Sequence, residues 1–230
     1  EMRSNHSAAT TRRSVENSLR ALRTDYLDSV IIHGYDQLHF PDDPEMDMVD
    51  PLAPGNALDE LIKLKEEGVV RHIGIGARAA GVHLRAIETG QIELILTYLE
   101  YNLLTQAAAT ELFPICREQD IGVILASPLG MGLLTGRPVD DEDERRRIPS
   151  TQEPKAARML SWCQDHDVDL RHLAIQYCLS APVDGMVLPG QASREEVEGT
   201  WEAATAQIPD AIWQEFGETF GVPMDNILDA

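Results

Sequence analysis

Four places in the sequence hold residue types with chemistry to offer. His33 closes the stretch Asp25-Tyr-Leu-Asp-Ser-Val-Ile-Ile-His33 and is followed at once by Gly34. An imidazole at the end of a buried strand can move a proton or orient a reacting oxygen; a core histidine bonded to a neighbour fits the same residues. Arg78 stands just past Ile73-Gly-Ile-Gly76. Its guanidinium could hold an anionic ligand group, or simply be solvated. Ser127-Pro-Leu-Gly-Met-Gly-Leu-Leu-Thr-Gly136 is rich in glycine, which lets a backbone approach a ligand closely. Finally, Leu188-Pro-Gly-Gln-Ala-Ser-Arg-Glu-Glu-Val-Glu198 joins a strand, a glycine turn and the start of a helix. Ser193 and Glu196 have capping-box spacing. A cradle for an anion and an ordinary capped helix both fit this stretch, and Glu195 and Glu196 would repel a phosphate that Arg194 attracts.

Two charged stretches read differently. The loop with Asp42, Asp43, Asp47 and Asp50 lacks a calcium-loop pattern and reads as a solvated acidic face, so no metal is expected. Asp140 to Arg147 reads as a self-paired loop or lid.

Alternating strands and helices must position these groups. Residues 1–13 are polar and read as irregular. Residues 14–23 form a helix with Val15, Leu19 and Leu22 on one face, and Ser29 to Ile32 form a buried strand. Further helices are expected at 56–67, 82–89, 106–119, 154–165, 170–179, from Ser193, and at 209–220, before a loose tail. Further strands are expected at 71–76, 93–100, 121–126 and 185–188. The alternation implies right-handed βαβ units and a parallel sheet within one domain, 1–230. Connections after helices are short, whereas 34–54 and 127–153, both after strands, are long. In a parallel sheet the loops after strands share one end, so the functional face lies at the carboxyl ends.

Composition narrows the function. A chain of 230 residues can bury one α/β core. A net charge of -20 opposes binding to a phosphate backbone or an anionic membrane, and 5% aromatics gives little surface for stacking bases. No apolar run approaches the roughly 20 residues that span a bilayer, and no signal segment opens the chain. Cys116, Cys163 and Cys178 are odd in number and lack zinc spacing. Cys116 and Cys178, in apolar helical contexts, read as buried free thiols in a reducing compartment, with a catalytic cysteine as the alternative, and the cytoplasm is expected. The chain opens Glu1-Met2-Arg3, so a longer protein is expected.

Five stretches, in order, resemble the aldo-keto reductase family. They are Arg13-Ser-Val-Glu-Asn-Ser-Leu-Arg-Ala-Leu with Asp25-Tyr-Leu-Asp and Ile31-Ile-His33; Gly68-Val-Val-Arg-His-Ile-Gly-Ile-Gly76; Glu100-Tyr-Asn-Leu-Leu104; Ser127 to Gly136; and Val187-Leu-Pro-Gly190 with Glu195-Glu-Val197. Within the family the resemblance is greatest to the aldose 1-dehydrogenase and pyridoxal dehydrogenase branch. It implies a parallel (β/α)8 barrel of the TIM type, of which this chain would cover about the last five βα units. It implies an NAD(P)-dependent oxidoreductase moving hydride between a nicotinamide cofactor and a small carbonyl or alcohol, with a sugar (aldose) or a similar polar compound as the expected substrate. By resemblance, His33 is the active-site histidine; Arg78, from its residue type and its place at the rim, is the candidate substrate contact. Gly76, Tyr98, Ser127, Leu129, Gly130 and Met131 would lie along the cofactor, and Gly190, Gln191, Ser193, Arg194 and Thr200 around its adenosine end.

The departures from the family pattern shape these expectations. The catalytic tyrosine, lysine and aspartate come from the family's first three strands, and Tyr26, Tyr35 and Lys63 do not match their positions. A Ser-Asn pair that holds the nicotinamide amide in many members reads Gly76-Ala77 here, and a glutamine on the next strand reads Tyr98. The lysine and arginine that hold a 2′-phosphate fall at Gly190 and Glu196, so NAD is expected over NADP. Two rival readings remain: a barrel that binds a ligand or partner without redox turnover, and a non-redox enzyme using His33 as acid or base. The expected partner is a small molecule, not a nucleic acid or membrane.

Overall fold

The computed structural model describes residues 5–33, 49–136 and 151–228. Its elements are α1 (Ala8–Leu22), β1 (Leu27–His33), α2 (Ala57–Glu66), β2 (Val70–Ala77), α3 (Ala80–Ile87), β3 (Leu94–Tyr98), α4 (Ala107–Glu111), α5 (Phe113–Glu118) and β4 (Gly122–Ala126). A single 3-10 turn (Leu133–Thr135) follows, then α6 (Gln152–Asp165), α7 (Leu170–Leu179), β5 (Gly185–Leu188), α8 (Arg194–Thr205), α9 (Asp210–Phe220) and α10 (Asp225–Leu228). The strand order follows the chain, β1-β2-β3-β4-β5. This is the parallel α/β sheet that the alternation of elements implies.

Three expectations are corrected. Residues 1–13 are not irregular throughout: α1 begins at Ala8, because the Ser7 side chain accepts from Thr10 N and caps it. That first turn has no apolar stripe, so periodicity misses it. The single helix expected at 106–119 is two helices, α4 and α5. Pro114 has no N–H to bond back to Thr110, and its ring crowds that carbonyl. The tail contains a short helix, α10.

The chain divides into two compact units, Glu1–Thr97 with Pro114–Val123, and Tyr98–Phe113 with Ile124–Ala230. In the first unit β1 and β2 run parallel, as do β2 and β3. Ile73, Ile75 and Ala77 alternate along β2 and are almost fully buried, with Leu58, Leu61, Leu64, Ala86 and Ile87 of the adjoining helices in the same core. The amino ends of the strands are joined by charge. Arg71 pairs with Asp28 at 2.8 Å and stacks over Tyr26 at 4.0 Å. Glu93 is paired with Lys65 and lies 3.1 Å from His72 Nδ1. Burial works against the Glu93 charge, yet these two partners and the Ile73 N–H hold its carboxyl below the usual range. Arg12 bridges Glu60 and Glu67, tying α1 to α2.

In the second unit a turn after β3 carries much of the packing. Asn102 is buried; its side-chain oxygen accepts from Leu104 N at 2.8 Å, and its backbone exchanges bonds with Thr105. The neighbouring Tyr101 stacks on Tyr177 with ring centroids 5.2 Å apart. A second cluster forms where α6 ends. His166 stacks on Trp162 at 3.8 Å, and Trp162 meets Phe216 of α9 edge-on. The His166 Nδ1 faces the Trp162 carbonyl at 2.7 Å and its Nε2 faces Glu215 at 3.0 Å. Both partners only accept, so satisfying both requires an imidazolium. The three cysteines are free and buried, and burial pushes Cys116 up to about 11 and Cys163 and Cys178 up to about 12.

Two outcomes follow for stability. Asn102→Ala leaves the Leu104 N–H without its side-chain acceptor inside the unit; unfolding in urea should show a loss of about 1–3 kcal/mol. His166 is raised above its ordinary 6.5, first by the Trp162 carbonyl and then by Glu215. A group raised on folding stabilises fully below its unfolded value and loses that contribution as pH climbs through its folded value. The urea midpoint should therefore fall as pH is taken upward from 6.5, and His166→Gln should flatten that slope.

Candidate active site

In the first unit the parallel register places His33 of β1 opposite Gly76 of β2 and Ala77 opposite Thr97 of β3. The strands end together, and Arg78 follows directly. His33 is exposed, Gly76 is buried and Arg78 is half-buried. A Cβ added to Gly76 would sit 2.7 Å from His33 Cδ2 and 3.2 Å from Ile31 Cγ2. The imidazole edge therefore occupies the space of the absent side chain. The end of β2 is also held from behind. His83 of α3 is fully buried, and its Nε2 lies 3.0 Å from the Ala77 carbonyl. That oxygen only accepts, so Nε2 carries the proton. Sequence reasoning missed His83; the available signal was its place on the helix face shared with Ala86 and Ile87.

In the second unit Tyr98 and the segment 127–131 come together at two strand ends, with Leu99 N 3.4 Å from the Ala126 carbonyl. Leu99 (φ 62°), Ser127 (φ 59°) and Met131 (φ 54°) are all left-handed without being glycine. Such conformations are costly and concentrate where function dictates the backbone. The segment then winds on itself: Gly130 N bonds Ser127 O, Gly132 N bonds Leu129 O, and Leu134 N also bonds Leu129 O. Gly130 is left-handed as well (φ 56°), and its missing Cβ faces Leu104 at 3.1 Å.

At the start of α8 the capping expectation takes a slightly different form. Ser193 Oγ accepts from Glu196 N at 3.2 Å, while Glu196 Oε2 accepts from Ala192 N at 2.6 Å, one residue before the cap. Gln191 Nε2 reaches the Glu196 carbonyl at 3.4 Å, and Arg194 is drawn to Glu198 at 2.7 Å. Gly190, Gln191, Ser193 and Arg194 are exposed, and Thr200 is half-buried. At this amino end the Ser193 hydroxyl and the Glu196 carboxylate thus each already take one N–H group. The nearby carboxylates offset the attraction that a helix amino end holds for an anion. Within this unit the cofactor candidates form two groups, one around Tyr98 to Met131 and one at Gly190 to Thr200.

Other candidates are engaged elsewhere. Asp50 is paired with Arg85 and also accepts from Leu52 N at 3.0 Å. Tyr26 lies under Arg71, and Lys63 is 3.5 Å from Glu60. Tyr35, Asp42, Asp43, Asp47 and the block 140–147 lie outside the described residues. Among the described residues no helix is long and apolar enough to cross a membrane.

Comparison with known proteins supplies the family. The model of the Aldo/keto reductase family matches residues 1–219. The D-threo-aldose 1-dehydrogenase of Pseudomonas sp is 32% identical over 214 residues, covering 92% of this chain and 62% of that protein. The L-galactose dehydrogenase of Arabidopsis thaliana is 31% identical over 204 residues, covering 86% of this chain and 59% of that protein. The chain thus spans about three fifths of the length of these relatives. The holo form of aldo-keto reductase AKR11C1 from Bacillus halodurans superposes with a TM-score of 0.70 at 26% identity, over 94% of this chain and 68% of that one.

The strained segment gives a direct test. Gly130→Ala forces a side chain into a left-handed position already crowded by Leu104 and should cost about 1–2 kcal/mol or more in urea unfolding. Ser127→Gly relieves strain of the same kind and should leave stability unchanged or slightly raised.

Proposed function

The chain belongs to the aldo/keto reductase family, and on that premise we propose that it serves an oxidoreductase that moves hydride between a nicotinamide cofactor and an aldose. The observation that carries this reading is the pairing of His33 with Gly76 at the carboxyl ends of β1 and β2. An imidazole there meets a substrate oxygen at the end where parallel α/β folds place their chemistry. When bound, the nicotinamide supplies or accepts the hydride. His33 orients the sugar oxygen and stabilises charge as it develops there. Arg78, two residues past Gly76 on the neighbouring strand, holds a polar group of the same sugar.

The five strands leave β1 and β5 at the sheet edges. We propose that they belong to an eight-stranded barrel whose remaining strands supply the tyrosine, lysine and aspartate of the proton transfer. NAD is preferred over NADP. The carboxylates of Glu195, Glu196 and Glu198 crowd the start of α8, where a 2′-phosphate would need cations. A second reading is favoured by one observation, the replacement of the usual amide-holding pair by Gly76-Ala77: a barrel that binds without turnover.

The full-length protein incubated with NAD+ and L-galactose, or a D-threo-aldose, should form NADH as read by its absorbance. NADH should bind at least about tenfold tighter than NADPH, an electrostatic difference of about 1.4 kcal/mol. His33→Ala should lower kcat about 100-fold or more. Binding of NADH with no turnover across an aldose panel would turn the assignment to the second reading; no nucleotide binding at all would sink both the cofactor and the activity.

A further inference from the structure

On β2, Gly74 and Gly76 share one face, opposite to Ile73, Ile75 and Ala77. The two glycines are crowded by different things. A Cβ on Gly74 would strike Leu94 and also its backbone oxygen, at 2.8 Å. A Cβ on Gly76 would strike only side chains: the His33 ring at 2.7 Å and Ile31 Cγ2 at 3.2 Å. Gly76 has ordinary strand geometry, so its backbone accepts any residue. What keeps a side chain out is the imidazole.

We propose that Gly76 is the positioning residue for His33. The imidazole leans into the volume of the missing side chain, against the end of β2, and this sets where the ring stands over the site. The Ala77 carbonyl, next along the strand, is bonded to the buried His83 ring, which helps to fix that strand end. The inference rests on the proposed role of His33, but the placement of the ring is measured independently of activity.

The test uses full-length protein with 13C-labelled histidine. In the native protein a nuclear Overhauser contact should join His33 Hδ2 to the Gly76 Hα protons. Gly76→Ala should fold, lose the ring placement seen as a shifted His33 Hδ2 resonance, and lower kcat with L-galactose and NAD+ by about tenfold to a hundredfold while KM for NAD+ changes little. Gly81→Ala, on the open face of α3 with nothing within 4 Å of the added carbon, should change neither readout. If Gly76→Ala weakens the fold, the same substitution in a His33→Ala background should weaken it less, because the clash is with the ring. An unmoved His33 resonance, or equal losses of stability in the two backgrounds, overturns the placement. A moved ring with unchanged kcat overturns its role in the reaction. A native protein that turns over no aldose defeats the proposed function, and the resonance still decides the placement.

Discussion

The in-register pairing of β1 with β2 is the constraint on which the candidate site depends. A side chain on a strand points to alternate faces, so a slip by one residue would turn His33 to the opposite face of the sheet and bring it opposite Ile75 or Ala77. The register is held from both sides. Ile73, Ile75 and Ala77 must meet the helix layer, which sets the phase of β2, and Ile32 does the same for β1. With those phases set by apolar burial, Ile31 and His33 share the face of Gly74 and Gly76, and the ring finds room at the second glycine.

The two ends of the first unit's strands have different chemistry. The amino ends are joined by partnered charges: Asp28 with Arg71, and Lys65 with Glu93, which His72 also approaches. Half-exposed pairs of this kind contribute little individually, and their geometry is that of a surface clasp. The carboxyl ends carry His33, Gly76 and Arg78, and the His83 ring bonded to the Ala77 carbonyl. In the second unit the strand ends at Leu99 and Ser127 adopt left-handed backbone that other residues must stabilise.

Charge completes the account. The excess of acids that opposes nucleic acid also shapes the start of α8, where Glu196 caps its own helix through Ala192 N. A helix amino end is ordinarily attractive to anions; here the carboxylates offset that attraction. The same residues supply the hydrogen bonds that begin the helix.

Much was legible from residue order. β-branched runs bounded by glycine placed all five strands within a few residues, and Ser193 with Glu196 marked the start of α8. The short stretches ending at His33, Gly76 and Gly136 indicated the family without any contact being known. Local signals failed where the deciding interaction was polar or backbone-borne. The start of α1 depends on the Ser7 cap and on Arg12 reaching Glu60 and Glu67, 48 and 55 residues away. The break between α4 and α5 depends on Pro114, whose effect periodicity does not register. The sequence by itself determined the alternation of elements, the phase of each strand and the acidity of the chain, because those follow from side-chain chemistry and spacing. Only the tertiary structure decided that the His33 ring fills the absent side chain of Gly76 and that His83 holds the Ala77 carbonyl. Both contacts join residues through the fold, and nothing in residue type or spacing records the distance between them.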